Sequence, residues 1–257
     1  SHALVLHRAD EIAFETGIYT NLTEDHLDFH KTMEVYCEAK AMLFTRCRYG
    51  VINTDDSYAE KIMKDATCKI LRYAEHDPAA DLLAEDVELH ADCVKFTAKT
   101  KQAQAPVRLA IPGGFSVYNA LAVIGAALTL GIPLDKIAQA LGSAQGVKGR
   151  VEVIPTPGKP YTVLTDYSHT PDSLENILKT VRAFCKGRVI AVFGCGGDRD
   201  PFKRPIMGRI GAELADLSVV TSDNPRTEEP MAIIDAIVAG MKEGPHPYVV
   251  IENRVQA

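Results

Sequence analysis

Three short polar segments in the second half of the sequence carry residue types that bind charged small molecules, and each follows an apolar run. They are residues 166–169 (Asp-Tyr-Ser-His), 194–200 (Gly-Cys-Gly-Gly-Asp-Arg-Asp) and 222–226 (Ser-Asp-Asn-Pro-Arg). Carboxylates and guanidinium groups form charge-assisted hydrogen bonds with ligands, and glycines after a strand permit a close approach of ligand to backbone. A Gly-x-Gly-Gly run alone is weak evidence, so we interpret the three segments together as one candidate binding site.

The elements around these segments alternate between strand and helix. The pattern predicts strands at 161–166, 188–193, 217–221 and 248–251, and helices at 171–185, 205–215 and 230–241. Buried apolar strands that alternate with helices predict a parallel sheet with right-handed crossovers. Such sheets bind ligands at the carboxyl ends of their strands, where all three polar segments fall. We therefore predict a Rossmann-like α/β domain over 150–257.

The first half of the chain is predicted to form a separate domain over 1–149 that contains helices and short strands. Helical periodicity covers 24–44, an apolar helix covers 117–130, and N-cap chemistry at 55–57 opens a further helix. Short strand-like runs within 68–110 predict a small antiparallel sheet.

Composition excludes some functions. The 257 residues carry a net charge of −6, which gives no electrostatic reason to bind nucleic acid or an anionic membrane. The apolar runs are too short to span a bilayer. None of the six cysteines forms a C-x-x-C pair, and free thiols in a reducing cytosol are the simplest interpretation. We expect a cytoplasmic monomer.

The first half holds fewer residues of evident chemistry. Residues 20–30 (Thr-Asn-Leu-Thr-Glu-Asp-His-Leu-Asp-Phe-His) precede Ala39-Lys40, and an ammonium group cannot ligate a metal ion. Spacing alone therefore favours a solvated helix start with Lys40 on the surface. By the same reasoning Asn119 is a local hydrogen-bonding residue at a helix start, and Arg150 forms a surface ion pair.

Taken together, these motifs resemble the Mur ligase family along nearly the whole chain and in the family's order. The resemblance implies an α/β fold, in which a partial central ATPase domain with a mixed sheet and helices is followed by an incomplete Rossmann-like C-terminal domain. It also implies that Lys40 is carbamylated by carbon dioxide. A carbamate offers anionic oxygen, which suits Mg²⁺, so the resemblance makes His26 and carbamylated Lys40 the metal-binding and catalytic pair.

The resemblance also implies a site for ATP. In the family, the residue equivalent to Asn119 contacts the adenine, and that equivalent to Arg150 lies near the phosphates or ribose. The Asp-Tyr-Ser-His-x-Pro run implies that Asp166 binds the ribose and that His169 lies near the nucleotide. Without the resemblance, a structural histidine after a strand is an equally good interpretation of His169.

Residues 223–226 are the most specific match. They resemble the motif of family members that add meso-diaminopimelate, whose distal carboxylate a guanidinium can bind in bidentate fashion. The implied contacts to this amino acid are Arg199, Asp223, Asn224, Pro225 and Arg226. The resemblance thus implies an ATP-dependent amide ligase of peptidoglycan synthesis. Such an enzyme adds meso-diaminopimelate to UDP-MurNAc-L-Ala-D-Glu through an acyl phosphate.

The sequence departs from the family at its ends. It starts without a methionine, as if entered within a domain, and no G-x-x-x-x-G-K-[ST] P-loop occurs in it. Ser1 and Arg8 match family contacts to the UDP-sugar peptide, but Leu6 stands where the family has glutamine. We expect the family's UDP-sugar domain and P-loop to precede this chain, and the chain alone to be inactive.

Three other interpretations stay open. One is a non-catalytic module that binds a nucleotide or an amino acid. Another is a metal-dependent hydrolase using Lys40 carbamate and His26, for which only His30 is a nearby further ligand. The last is a ligase resembling folylpolyglutamate synthase, against which residues 223–226 argue.

Overall fold

The computed structural model describes residues 1–23 and 27–257. The chain forms two compact units, which comprise residues 1–145 and 146–257. We describe each unit by itself. The division lies four residues before the boundary predicted at 149/150.

The first unit is built on one six-stranded sheet with the order β1-β2-β3-β4-β5-β6. Its strands are Phe14–Tyr19, Cys47–Asn53, Lys69–Ala74, Leu82–Leu89, Val94–Thr100 and Gln104–Leu109. Strands β1 to β4 pair in parallel, and β4, β5 and β6 pair antiparallel. The mixed sheet and its helices confirm the predicted α/β class.

The separate antiparallel sheet predicted over 68–110 is only partly correct. Strand β3 pairs in parallel with both of its neighbours and belongs to the same sheet as β4–β6. A short connection normally joins antiparallel strands. Here β4 begins beside the last two residues of β3, with Tyr73 opposite Leu82 and Ala74 opposite Leu83, so a long crossover is not needed.

The helices of this unit are α1 (His2–Val5), α2 (Leu27–His30), α3 (Met33–Ala41), a 3₁₀ helix (Met42–Thr45), α4 (Ala59–Met63), α5 (Gly114–Thr129) and α6 (Leu134–Ser143). The single helix predicted over 24–44 is wrong. Lys31 adopts a left-handed φ of 68°, and Thr32 starts a new helix by accepting the N–H of Val35. The helix predicted to open at 55–57 begins at Ala59 instead.

Both faces of the first sheet are covered by apolar side chains. Successive strand residues point to opposite sides, so neighbours on one strand pack in different cores. Val51 on β2 belongs to the core formed under α5 and α6, while the adjacent Ile52 packs with Phe44 and Ile62 on the other face. Helix α5 lies close to the sheet at Gly125, where a Cβ atom would be 2.5 Å from Cγ1 of Val51.

The second unit contains a three-stranded parallel sheet of order β11-β10-β9, formed by Tyr248–Val250, Leu217–Val220 and Ile190–Phe193. Its helices are α7 (Pro171–Phe184), α8 (Lys203–Leu214) and α9 (Pro230–Ala239). Residues of all three helices share one apolar core with β9 and β10. Right-handed crossovers between the consecutive strands β9, β10 and β11 place α8 and α9 on the same face of the sheet.

The strand predicted at 161–166 does not join this parallel sheet. It is shortened to β8 (Val163–Thr165), which pairs antiparallel with β7 (Glu152–Ile154) in a two-stranded ribbon. The segment between them turns at Gly158, whose φ is 72°. The strand thus pairs with β7, its neighbour along the chain, and not with a strand of the parallel sheet that strand–helix alternation predicted. In the described part of the chain, no helix is long and apolar enough to cross a membrane.

Candidate functional site

A cleft of about 770 Å³ lies within the second unit, at the carboxyl ends of β8, β9 and β10. Residues of all three polar segments predicted from the sequence line it. They include Asp166 to Thr170, Gly194, Gly196, Arg199, Asp223, Asn224 and Arg226. The first segment therefore lies at the cleft, as predicted, although β8 belongs to the two-stranded ribbon and not to the parallel sheet.

The loops that follow β9 and β10 touch through their backbones. The N–H of Gly197 donates to the carbonyl oxygen of Asn224 at 2.8 Å. A Cβ atom at Gly197 would be 1.8 Å from the carbonyl oxygen of Pro225, and one at Gly194 would be 2.1 Å from that of Thr221. These glycines are thus needed for loop-to-loop contact, in addition to any contact with a ligand.

Asp198 ties the two loops together a second time. It has a left-handed φ of 51°, and its N–H donates to Oε1 of Glu228 at 2.6 Å. Its carboxylate accepts from the N–H of Thr227 at 3.2 Å and from the Thr227 hydroxyl at 2.7 Å. The two loops therefore form one hydrogen-bonded assembly.

A half-buried ion pair joins this assembly to α8. Nη1 and Nη2 of Arg204 donate to the two carboxylate oxygens of Glu228 at 2.9 and 2.8 Å, and the Arg204 side chain is 6% exposed. The hydrogen bonds from Arg204 and from the Asp198 N–H hold the pKa of Glu228 below its usual range. Neither Arg204 nor Glu228 was singled out from the sequence.

Arg199 and Arg226 line the cleft together with Asp223 and Asn224. Arg226 has a left-handed φ of 51°, and its Nη1 donates to the carbonyl oxygen of Gly197. Guanidinium groups beside a carboxylate and an amide suit an amino acid that carries both an ammonium group and carboxylates. Pro225 is not among the residues that line the described cleft, and its carbonyl oxygen accepts the N–H of Glu228 at 3.0 Å.

A further cleft residue that was not singled out from the sequence is Arg254. It follows β11, and its Nη1 lies 3.6 Å from Oδ1 of Asp223 and donates to the carbonyl oxygen of Ser222 at 3.2 Å. The sequence signal was only an arginine after the last predicted strand. Its contacts place it at the base of the 222–226 segment.

Asp166 already accepts several protein hydrogen bonds. Its Oδ2 accepts the N–H of Val151 at 2.9 Å, and its Oδ1 accepts the N–H of Ser168 at 2.9 Å together with the Ser168 hydroxyl. A carboxylate has about four acceptor positions, so about one stays available on Oδ2. That capacity fits a single hydroxyl group of a ligand.

His169 and Arg150 both contact Tyr167 at the cleft. The Nδ1–H of His169 donates to the carbonyl oxygen of Tyr167 at 3.0 Å, which in the neutral ring leaves Nε2 as the acceptor. The guanidinium of Arg150 lies 5.2 Å from the centre of the Tyr167 ring, a cation–π distance. Lys203 donates to the His169 carbonyl oxygen at 2.8 Å and joins α8 to this segment.

In the first unit, Ser1 and Lys40 lie beside the stacked rings of His30 and Tyr36. The imidazole of His30, which is 2% exposed, stacks on Tyr36 with ring centres 4.8 Å apart. Its Nε2 is 2.9 Å from the Ser1 hydroxyl, and the Lys40 ammonium lies 5.2 Å from the centre of the Tyr36 ring. Lys40 is half-buried rather than fully on the surface.

The other predicted residues of the first unit are not part of this cluster. Arg8 and Asn119 are exposed, while His26 lies outside the described residues. Within residues 1–23 and 27–257, no group of three or more histidine, cysteine or acidic side chains is placed to hold a metal ion. The described residues therefore do not form a Mg²⁺ site by themselves, and a carbamate on Lys40 would add the kind of oxygen donor that the ion prefers.

Asp55 forms hydrogen bonds with two other segments of the first unit, one of which contains Tyr118, the residue before Asn119. Its carboxylate accepts the N–H groups of Glu75 at 2.7 Å and Asp77 at 3.0 Å, and the hydroxyl of Tyr118 at 2.9 Å. Burial and the hydrogen bond to Asp55 raise the pKa of Tyr118. The prediction that Asp55 opens a helix is thus wrong, because its carboxylate joins the end of β2 to the end of β3 and to α5.

Comparison with family profiles matches the chain twice. Residues 1–127 match the Mur ligase middle domain, and residues 149–257 match the Mur ligase, glutamate ligase domain. Together the two profiles cover nearly the whole chain.

Two curated relatives carry the same functional description. The chain is 47% identical to the UDP-N-acetylmuramoyl-L-alanyl-D-glutamate–2,6-diaminopimelate ligase of Clostridium botulinum, and 49% identical to that of Clostridium tetani. Each match covers 100% of this chain and 53% of the relative. A solved structure of a ligase with the same name superimposes with a TM-score of 0.76 at 35% identity, over 99% of this chain and 53% of that one. The chain therefore spans about half the length of these relatives.

Proposed function

Because the chain belongs to the Mur ligase family, we propose that the protein containing it is an ATP-dependent ligase of peptidoglycan synthesis. Its substrates are UDP-MurNAc-L-Ala-D-Glu and meso-diaminopimelate, which it joins in the cytoplasm as a monomer. The names of the relatives support this choice of substrates. The single structural observation that carries it is the cleft where Arg199 and Arg226 stand beside Asp223.

The amino-acid site follows from charge. Diaminopimelate carries a distal carboxylate that a simple diamino acid such as lysine lacks, and Arg226 and Arg199 are the groups that bind it. Asp223 and the Asn224 amide hold the ammonium end, and Pro225 shapes the loop that presents them. A ligase resembling folylpolyglutamate synthase is the weaker alternative, because residues 223–226 match the motif of family members that add diaminopimelate.

The reaction proceeds through an activated carboxylate. The γ-phosphoryl group of ATP passes to an oxygen of the D-Glu γ-carboxylate, giving an acyl phosphate and ADP. The amine of diaminopimelate then attacks the carbonyl carbon and forms a tetrahedral intermediate. Loss of a proton from nitrogen and departure of phosphate leave the amide. The protein's contribution to phosphoryl transfer of this kind is mainly positioning and charge stabilisation.

The remaining predicted residues have the following proposed roles. Asp166 accepts one ribose hydroxyl with its remaining acceptor position, and Arg150, His169 and Asn119 contact other parts of the nucleotide. Ser1 and Arg8 contact the UDP-sugar peptide. His26 and carbamylated Lys40 would hold Mg²⁺, which supplies charge neutralisation at the phosphates when bound.

A comparison of two amino acids in the longer protein tests the proposal. We expect amide formation with meso-diaminopimelate to exceed that with L-lysine, and Arg226→Ala to lower kcat/KM for diaminopimelate by about 30-fold or more, since a charge partner is lost. Arg209→Ala, on the exposed side of α8, is the matched control and should leave both rates unchanged.

Two results would contradict the proposal. Equal use of diaminopimelate and L-lysine would remove the assigned specificity. Binding of diaminopimelate without turnover in the longer protein, with ATP and the UDP-dipeptide present, would instead support a non-catalytic binding module.

A further inference from the structure

The ion pair between Arg204 and Glu228 lies behind the cleft rather than in it. Neither side chain is among the described residues that line the cleft, although both adjoin segments that do. We propose that this pair is a positioning device that sets the affinity and selectivity of the cleft for the distal carboxylate of its amino-acid substrate. The inference rests on the proposed function and assigns roles to two residues that act through others.

Glu228 is the point at which three parts of the unit meet. Its Oε1 accepts both Nη2 of Arg204 and the N–H of Asp198, and its Oε2 accepts Nη1 of Arg204. The carboxylate thus connects α8, the loop after β9 and its own loop after β10. Glu228 therefore adds to the bonds of Gly197 and Asp198 that hold the two loops together, and it connects both loops to α8 through Arg204.

The bonds continue from Glu228 to the two arginines that face the ligand. Asp198 precedes Arg199 and binds Thr227, and Thr227 follows Arg226. Arg226 is in turn tied to the carbonyl oxygen of Gly197. A shift of Asp198 would therefore move both guanidinium groups.

Backbone conformation makes this dependence strong. Asp198 and Arg226 both have φ near 51°, in the left-handed region that residues with a Cβ adopt at some cost. Such conformations persist where surrounding bonds impose them. Without the Glu228 acceptor at the Asp198 N–H, we expect the loop to relax and Arg199 and Arg226 to lose their shared orientation.

The ion pair is half-buried, since the Arg204 side chain is 6% exposed and the Glu228 side chain 33%, and this environment points to positioning rather than to net stability. A buried pair often contributes little stability relative to apolar residues of similar size, whereas removal of one partner leaves an uncompensated charge. Arg204 also stands on a rigid support, because α8 lies against α9 so closely that a Cβ at Gly208 would be 2.0 Å from the carbonyl oxygen of Ile237.

Kinetics of the longer protein test the inference. Glu228→Gln should raise the KM for meso-diaminopimelate by about 10-fold, the size expected for a charge-assisted hydrogen bond, and should lower the preference over L-lysine. The KM for ATP should stay within about 2-fold, because the nucleotide groups do not depend on this pair. Glu229→Gln, which removes the neighbouring exposed carboxylate, is the matched control and should behave as wild type.

A second variant separates positioning from folding. Arg204→Met combined with Glu228→Leu should keep the melting temperature, since apolar replacements of both partners are tolerated, yet still raise the KM for diaminopimelate. Arg204→Lys should give an intermediate KM, because an ammonium group lacks the bidentate fork.

The outcomes are distinct. Folded Glu228→Gln protein with wild-type KM and selectivity for diaminopimelate would overturn the inference alone. Equal increases in the KM for ATP and for diaminopimelate would do the same, by showing a general structural role. If the wild-type protein itself does not use diaminopimelate, the proposed function fails first and the inference fails with it.

Discussion

Gly197 shows how a single residue controls the candidate site. Its N–H donates to one loop residue, and the space that a Cβ would occupy is taken by the carbonyl oxygen of Pro225, 1.8 Å away. The sequence indicated only that glycines after a strand allow a ligand to approach. In the structure, the glycine allows the neighbouring loop to approach, and that loop carries Arg226.

We expect Gly197→Ala to destabilise the protein by about 2 kcal/mol or more, because backbone atoms rather than a flexible side chain have to move. Urea unfolding measures this loss. Gly187→Ala in the same unit is the control, since a Cβ there meets no atom within 4 Å. Equal stability of the two variants would show that the loops separate without cost.

At the scale of elements, α5 and β2 approach each other through a glycine in the middle of a helix. Alanine has the higher helix propensity, so local preference favours Gly125→Ala. The packing opposes it, because the new Cβ would lie 2.5 Å from Cγ1 of Val51, a fully buried side chain.

We expect Gly125→Ala to cost about 1–3 kcal/mol, the range for overpacking in a filled core. Adding Val51→Ala to Gly125→Ala should recover part of that loss, although Val51→Ala alone is destabilising. Thermal or urea unfolding of the two single variants and the double variant gives the coupling. Additive effects would mean that the helix moves away from the strand instead.

Two other elements show where local patterns mislead. The apolar periodicity over 24–44 is interrupted by the left-handed Lys31, and β8 pairs with the neighbouring β7 instead of joining β9. Periodicity predicts which side of an element is buried, but it does not select among possible strand partners.

At the scale of the whole molecule, the chain is two compact units, each with a core of its own, that match two consecutive domains of one family. Its described residues include the proposed amino-acid site and residues proposed for the nucleotide. No P-loop sequence occurs in the chain to bind the β- and γ-phosphates of ATP.

We therefore expect the 257-residue chain to form no amide from ATP, UDP-MurNAc-L-Ala-D-Glu and meso-diaminopimelate. The longer protein, assayed in parallel for ADP and for the tripeptide product, is the positive control. Tripeptide formation by the chain alone would contradict this expectation and the importance given to the P-loop.

The sequence by itself determined the α/β class and the family, because strand–helix alternation and short motifs are local properties of the chain. It also predicted that three polar segments lie together, although the reason, a common edge of parallel strands, applies only to the segments after β9 and β10, because β8 belongs to the ribbon. Only the tertiary structure decided how that site is held. Arg204 and Glu228 are 24 residues apart along the chain and form a bidentate, half-buried pair. Their pairing, like that of β8 with β7, depends on which distant surfaces pack together, and residue types alone do not contain that information.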